Sequence, residues 1–378
     1  MTRWMNGLGT ATALIAATAG VAACGDGDGG GGASSASGAS VQVKPNDAGF
    51  AKYQGLSLDA KYHTKLPCTT SPTPEEEIVY RVPKAEKRYR VTLMEVTLAG
   101  YYYQGIAAGA RKAAAEAGVE VKIVSAGKGY ADPATQIQQA DDVAQRGTDA
   151  LVLAPADIQG GVPIVNKFTR DGKPVINVST EVASPDVYMI MQDDYQMGVA
   201  SADEIAALIG PKGGTGIVIA GPANATWSRK RAAGFADRVR ERYPNIKIAA
   251  SPTQNVDPAL GLKSFENTAQ GTSGISWVYT VFDFLLQPGS LPSQYRDIAF
   301  VTNGYDNVSG PELESGRINS AVGLSPVAMG YRGVGTAVAL LNGDKQPALQ
   351  CVPQPLVTKK NMGTAVARAE LIPKAYAK

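Results

Sequence analysis

His63 is the only histidine in the chain. It stands in a Pro-rich stretch, so no His-based triad, proton relay or His-rich metal site can be assembled from the rest of the sequence. A surface position is expected for it. The run Gly210-Pro-Lys-Gly-Gly-Thr-Gly216 has the glycines of a phosphate cradle, but it precedes a strand pattern and opens no helix. It reads as a helix-to-strand turn. Asp141-Asp142 and Asp193-Asp194 are adjacent in sequence, so helix or strand geometry points each pair apart and neither makes an acid/base pair. What remains is chemistry of recognition. Tyr101, Tyr102, Tyr103 and Trp227 offer aromatic faces for the CH face of a ring or for a cation, or else simple packing. Arg229 offers a fork of donors to hydroxyl or carboxylate oxygens, or else belongs with Lys230 and Arg231 to a solvated helix face. Glu95 lies inside the apolar run RYRVTLMEV (88–96). A carboxylate buried there needs a ligand cation or an internal base.

The elements that must position these groups alternate in type. A buried strand over 88–96 is followed by a helix over 102–117, closed by Gly118. The rhythm repeats as strand 119–124, helix 133–146, strand 150–153, helix 161–170 and strand 174–178, with Gly147 and Asp171-Gly172 as stops. After Asp194 it restarts: helix 195–209, strand 216–220, basic helix 228–243, strand 246–250, then strands at 277–281, 298–302 and 319–323. Such alternation predicts an α/β fold of two doubly wound, mostly parallel sheets. Ligands of such sheets sit at the carboxyl ends of the strands, and two facing lobes would line one cleft.

The composition agrees. With 378 residues, 44% of them hydrophobic, the chain has material for two domains. Its 36 basic and 34 acidic residues leave a net charge of +2, too little for a phosphate backbone, so nucleic acid is not an expected partner. Arg3 and the uncharged stretch 8–23 read as a signal peptide over residues 1–23. Val21-Ala-Ala-Cys24 resembles a bacterial lipobox, with lipidation expected at Cys24; the alternative is an ordinary cleaved signal. Residues 24–40 have a tether's composition, and 41–88, with five prolines, read as an extended arm and no domain. Beyond Cys24 two cysteines remain, Cys68 and Cys351. In an oxidising compartment the even remainder suggests a disulfide, with two free thiols as the alternative.

The segments GYYYQGIAAGARKAAAEAG (100–118), TDALVLAPAD (148–157), KPVINVST (173–180), DDYQMGVASADEIA (193–206), WSRKRAAGFADRV (227–239) and TNGYDN (302–307) together resemble the type I periplasmic solute-binding proteins of the ribose-binding kind, in order over 89–378. The YYYQG, AGKGY (126–130) and GPANATW (221–227) segments also resemble the periplasmic sensor of trimethylamine N-oxide that serves a histidine kinase. The resemblance implies three hinge crossings, with lobe 1 at 89–193 plus 325–351 and lobe 2 at 194–324 plus 352–378. It implies ligand contacts at Tyr102, Tyr103, Trp227, Arg229 and Asp306, and weaker ones at Asp157, Ser179, Thr180, Phe282, Asp283 and Asn303. For Asp306 the alternative is a turn-forming role. Ser179-Thr180 stand where ribose binders carry Asp-Arg, and Phe282 where they carry Asn, so the pocket has lost hydroxyl partners and gained aromatic surface. The implied function is capture of a small polar solute by a monomeric lipoprotein that feeds an ABC importer, or sensing for a histidine kinase. No cofactor, metal or enzymatic activity is expected. A lac-repressor-type regulator shares the fold but would begin with a DNA-binding headpiece, where this chain has a signal peptide.

Overall fold

A computed structural model describes Leu66, Cys68 and residues 73–127, 133–223 and 225–372. Cys24, the signal and tether segments and His63 lie outside the described residues. The first element is a short helix, α1 (Pro74–Val79), inside the stretch read as an extended arm. Its cause is local: the Thr73 hydroxyl accepts from the Glu76 N–H, the Glu76 carboxylate accepts from the Thr73 N–H, and Pro74 fills the first helical position.

Lobe 1 follows as β1 (Arg90–Glu95), α2 (Tyr101–Ala117), β2 (Glu120–Ser125), α3 (Pro133–Arg146), β3 (Ala150–Leu153), α4 (Gly161–Arg170), β4 (Val175–Val178) and β5 (Tyr188–Met191). Lobe 2 is α5 (Asp194–Ile209), β6 (Gly214–Ile219), α6 (Thr226–Arg242), β7 (Ile246–Ala250), α7 (Pro258–Gln270), β8 (Ile275–Thr280), β9 (Ala299–Asn303), α8 (Ser309–Ser315) and β10 (Ser320–Val322). The chain then returns for α9 (Pro326–Asn342) and β11 (Leu349–Cys351), and leaves again for β12 (Leu356–Thr358) and α10 (Ala365–Ala369). Two six-stranded sheets result, ordered β11-β5-β4-β3-β1-β2 and β12-β10-β9-β8-β6-β7. All pairings are parallel except β10 with β12. The backbone passes between the sheets at 192–193, 323–325 and 352–355.

Fully buried strands such as ALVL in β3 and VINV in β4 are apolar throughout because helices cover both faces. In each lobe one pair of helices crosses with almost no side chain between. A Cβ on Gly330 of α9 would lie 1.9 Å from the Ile106 carbonyl of α2, and one on Gly198 of α5 would lie 2.0 Å from the Arg231 carbonyl of α6. These contacts fix the axes of α2 and α6, the two helices that begin at strand ends with Tyr101–Tyr103 and Trp227–Arg231.

Cys68 and Cys351 are joined by a disulfide, with Cα atoms 5.6 Å apart. The Gly-rich run is the turn between α5 and β6, with Gly213 at φ 66° against the Asn245 carbonyl.

Candidate functional site

The strand ends of the two lobes meet. At the lobe 1 edge β1 runs out, Gly100 takes φ 82°, and α2 begins. The next three residues part ways. Tyr101 is exposed, and Tyr103 is packed into the lobe 1 core with its ring edge-on to Tyr102. Tyr102, half-buried, donates its hydroxyl to Ser179 Oγ at 3.1 Å, and it packs against the lobe 2 cluster of Met197, Val322 and Leu324. It therefore bridges the lobes.

Ser179 and Thr180 are presented by a loop that one buried side chain shapes. The Asn177 amide donates to the carbonyls of Leu153, Val178 and Thr180, and its oxygen accepts from Val182 N–H. So held, Ser179 adopts φ 71°, rare for a residue with a side chain, and Glu181, two residues on, is aimed at lobe 2. It forms an ion pair with Lys230 of α6, and both are almost fully buried. Lys230 and Arg231 are therefore not a solvated face. Arg231 pairs with Asp194 Oδ1 at 2.7 Å, donates to the Val281 carbonyl at 2.8 Å, and lies 5.0 Å over the Trp227 ring. Adjacent Asp193 takes another path: Oδ1 accepts from Gln196 N–H at the start of α5, and Oδ2 accepts from Leu66 N–H at 3.0 Å. Burial raises the Asp193 carboxyl to about 6, against the pull of its hydrogen bonds and of Lys230. Asp194 is also raised by burial, offset by Arg231.

On the lobe 2 side Trp227 and Phe282 meet edge to face with ring centres 5.8 Å apart, and Phe282 packs on the same bridging cluster as Tyr102. Next to Trp227 in sequence, Ser228 is fully buried, its Oγ beside Gly221 and without a hydrogen-bond partner. Asp283 is also buried, with Oδ2 unpartnered. Burial first, then the charge of Asp306, pushes its carboxyl well above the usual range; burial also raises Asp306, offset by its bonds from Val308, Ser309 and Asp283. Asp306 accepts from the N–H groups of Val308 at 2.6 Å and Ser309 at 3.1 Å, a turn role, while linked to Asp283. Arg229 is half-buried on α6.

Two of the weaker candidates are employed elsewhere. Asn303 is fully buried in lobe 2, accepting from Tyr279 Oη at 2.5 Å and donating to Ser201 Oγ at 2.8 Å. Asp157 accepts from Gln159 and Gly160 N–H groups at the turn before α4. Local backbone donors thus occupy Asp157 Oδ1, and core side chains occupy the Asn303 amide. Glu95 is fully buried with neither oxygen hydrogen-bonded. Desolvation raises its carboxyl well above the ordinary value and Arg111 offsets only part of that, so burial keeps it neutral instead of a base pairing it. Glu181, Lys230 and Ser228 were not singled out from sequence as site residues. The partners Glu181 and Lys230 lie 49 residues apart in sequence on different lobes, and only the assembled fold relates them. Among the described residues no cluster of His, Cys, Asp and Glu could hold a metal ion, and no helix is long and apolar enough to cross a membrane.

Two α/β lobes of mostly parallel strands joined by three crossings, with aromatic residues of both lobes where their strand ends meet, define the two-lobed class of binding-protein fold. The family model for a periplasmic binding protein domain matches residues 93–345, and the chain belongs to that family. It is similar to the ribose import binding protein of Bacillus subtilis (strain 168), at 24% identity over 280 residues, 73% of this chain and 89% of that one. It is also similar to the periplasmic protein TorT of Escherichia coli (strain K12), at 28% identity over 184 residues, 48% of this chain and 50% of that one. Among solved structures, a carbohydrate transporter solute-binding protein from Agrobacterium radiobacter in complex with D-arabinose superposes with a TM-score of 0.68 at 24% identity, over 76% of this chain and all of that one. That likeness supports the fold.

Proposed function

We propose that this chain is an exported, lipid-anchored binding protein that captures a small polar solute, a sugar or close relative, between its lobes and delivers it to an ABC importer. The observation that carries the reading is the seam. Tyr102, Trp227 and Phe282 supply aromatic surface from both lobes, while Ser228 Oγ and Asp283 Oδ2 are buried without partners. Aromatic faces stack on the CH face of a sugar ring, and buried polar atoms left unpaired are costly unless a ligand hydroxyl reaches them. Arg229 and Asp306 are assigned to the solute's polar groups, with Ser179 and Thr180 at its rim. A relative named for ribose import and a neighbour bound to D-arabinose support the sugar class. Contacts to both lobes would let the solute shift a pre-existing open and closed equilibrium. The permease would then read the closed form. Anchoring through Cys24 would keep the protein at the membrane.

The same aromatic seam favours a second reading, a sensor adaptor that binds a methylated amine or amine oxide and docks on a histidine kinase. Aromatic faces accept a methylated cation, and the match to TorT supports this branch. Thermal shift against pentoses, hexoses, polyols, trimethylamine N-oxide, betaine and amino acids separates the two. A ligand at a hundredfold excess over its Kd stabilises by about 2.7 kcal/mol. A shift with a sugar, lost in Arg229→Ala and Asp306→Ala, supports the importer receptor. A shift with methylated amines alone, lost in Tyr102→Ala, supports the sensor. No shift with any of them contradicts both.

A further inference from the structure

We infer that the described residues ahead of lobe 1, Leu66, Cys68 and 73–82, act as a brace beside the hinge, which holds the two lobes at the angle seen here. They touch the chain at the first and third crossings and grip α9 beyond the second. At the first, the Leu66 side chain is buried in the lobe 1 core, while its N–H donates to Oδ2 of Asp193, the residue at which the backbone enters lobe 2. At the third, Cys68 is bonded to Cys351, the last residue of β11 before the chain leaves lobe 1. Beyond the second, α1 lies beside α9. Glu77 pairs with Arg332 of α9 at 2.5 Å, and the Arg332 guanidinium sits 4.0 Å over the Tyr80 ring.

Those fastenings mount the brace on lobe 1. Its other side meets lobe 2: α1 packs on α10, whose Ala367 is part of the lobe 2 core. Between α1, α9 and α10 lies a cavity of ≈ 170 Å³ lined by Glu77, Ile78, Ser325, Pro353 and Glu370 among others. It is on the hinge side, away from the aromatic seam. Ser325, in the second crossing, takes φ 49° and is held there by Glu370 of lobe 2, which accepts from its N–H and its Oγ, both at 2.7 Å. A rotation of lobe 2 therefore carries α10 and Glu370 past a helix that Glu77 and Tyr80 fix to α9 of lobe 1. The brace adds a cost to that rotation in either direction, which neither a free amino-terminal arm nor an arm serving lobe 1 alone would do. The inference rests on the two-lobed fold and on no solute, so it stands or falls apart from the proposed function.

The test is small-angle scattering of the full, ligand-free chain. A water-soluble phosphine cleaves the Cys68–Cys351 bond to two thiols while the phosphine takes an oxygen from water to become its oxide, and thiol titration counts the two thiols gained. In a second arm the disulfide is left intact and Ile78→Arg forces α1 from α10. Both should change the lobe angle, shifting the radius of gyration by about 1 Å where a body of this size has roughly 20 Å, with the far-ultraviolet circular dichroism unchanged. A lowered melting temperature with no change in radius in either arm would mean that the segment only stabilises lobe 1, and would overturn the inference. Should reduction unfold the chain, the Ile78→Arg arm decides alone: a shifted radius supports the brace, and an unchanged radius overturns it.

Discussion

The seam and the hinge treat their buried carboxyl and hydroxyl groups differently, although Gln192 Oε1 at the first crossing and Gln354 Nε2 at the third also have no hydrogen-bond partner. At the hinge every carboxylate is answered: Asp193 accepts two backbone N–H groups, and Glu370 accepts the N–H and hydroxyl of Ser325. At the seam, Ser228 Oγ and Asp283 Oδ2 are buried and unanswered. A folded chain rarely leaves buried polar atoms without partners, and where it does the reason is function more often than accident. The hinge is built to keep its geometry, and the seam to take something in.

The largest expected effect breaks the buried ion pair between the lobes, Glu181 with Lys230. Lys230 is fully buried against Glu181, and removing one partner of such a pair strands a buried charge. Lys230→Ala should cost about 3–5 kcal/mol in denaturant unfolding, and Lys230→Met with Glu181→Leu should recover most of it. A cost near that of a surface pair would show that water already reaches the seam.

The hinge predicts a pH dependence of next size. Asp193 is raised to about 6 and Glu370 to about 7 by burial. Around Asp193 stand Lys230, which lowers it, and Asp194, which raises it; Glu77 raises Glu370. Each group binds its proton more tightly in the folded chain than in the unfolded one. Their contribution is therefore complete below pH about 4 and is lost as pH climbs through about 6 and 7, roughly 3 kcal/mol for each at most. Melting temperature recorded from pH 4 to 9 should fall along that span, with the lower limb flattened in Asp193→Asn and the upper in Glu370→Gln. A profile unchanged by both variants would contradict the burial assigned to the hinge.

Ser228→Ala sharpens the comparison from the seam side. Removing a buried hydroxyl that has no partner should leave stability unchanged or slightly higher, while solute affinity falls about tenfold, equivalent to about 1.4 kcal/mol. Titration calorimetry beside thermal melts reads both. Loss of stability with unchanged affinity would place Ser228 among structural groups. Tyr102→Phe is the smallest change, the loss of one hydrogen bond to Ser179, expected at about 0.5–1.5 kcal/mol by chemical denaturation.

The βα rhythm was legible because buried parallel strands are continuous apolar runs, and 150–153 and 246–250 were delimited residue for residue. Tyr188–Met191, Leu349–Cys351 and Leu356–Thr358 are too short to carry a period, and α9, though long, is apolar around most of its surface because it packs on both α2 and the sheet. The helix α1 carried a readable signal, Thr73-Pro-Glu-Glu76, hidden by the prolines around it. Of the site, the aromatic residues were visible from type and place. Which tyrosine turns outward depends on the helix phase set by Gly105, Gly109 and Gly330. The burial of Lys230 and Arg231 depends on acids supplied by other elements, Glu181 and Asp194.

The most direct test of the account is hydrogen exchange with and without the solute that thermal shift identifies. The account predicts added protection at 100–104, 178–182, 226–231 and 281–284 together, the strand ends of both lobes. Protection confined to one lobe, or to the cavity beside α1, would contradict it.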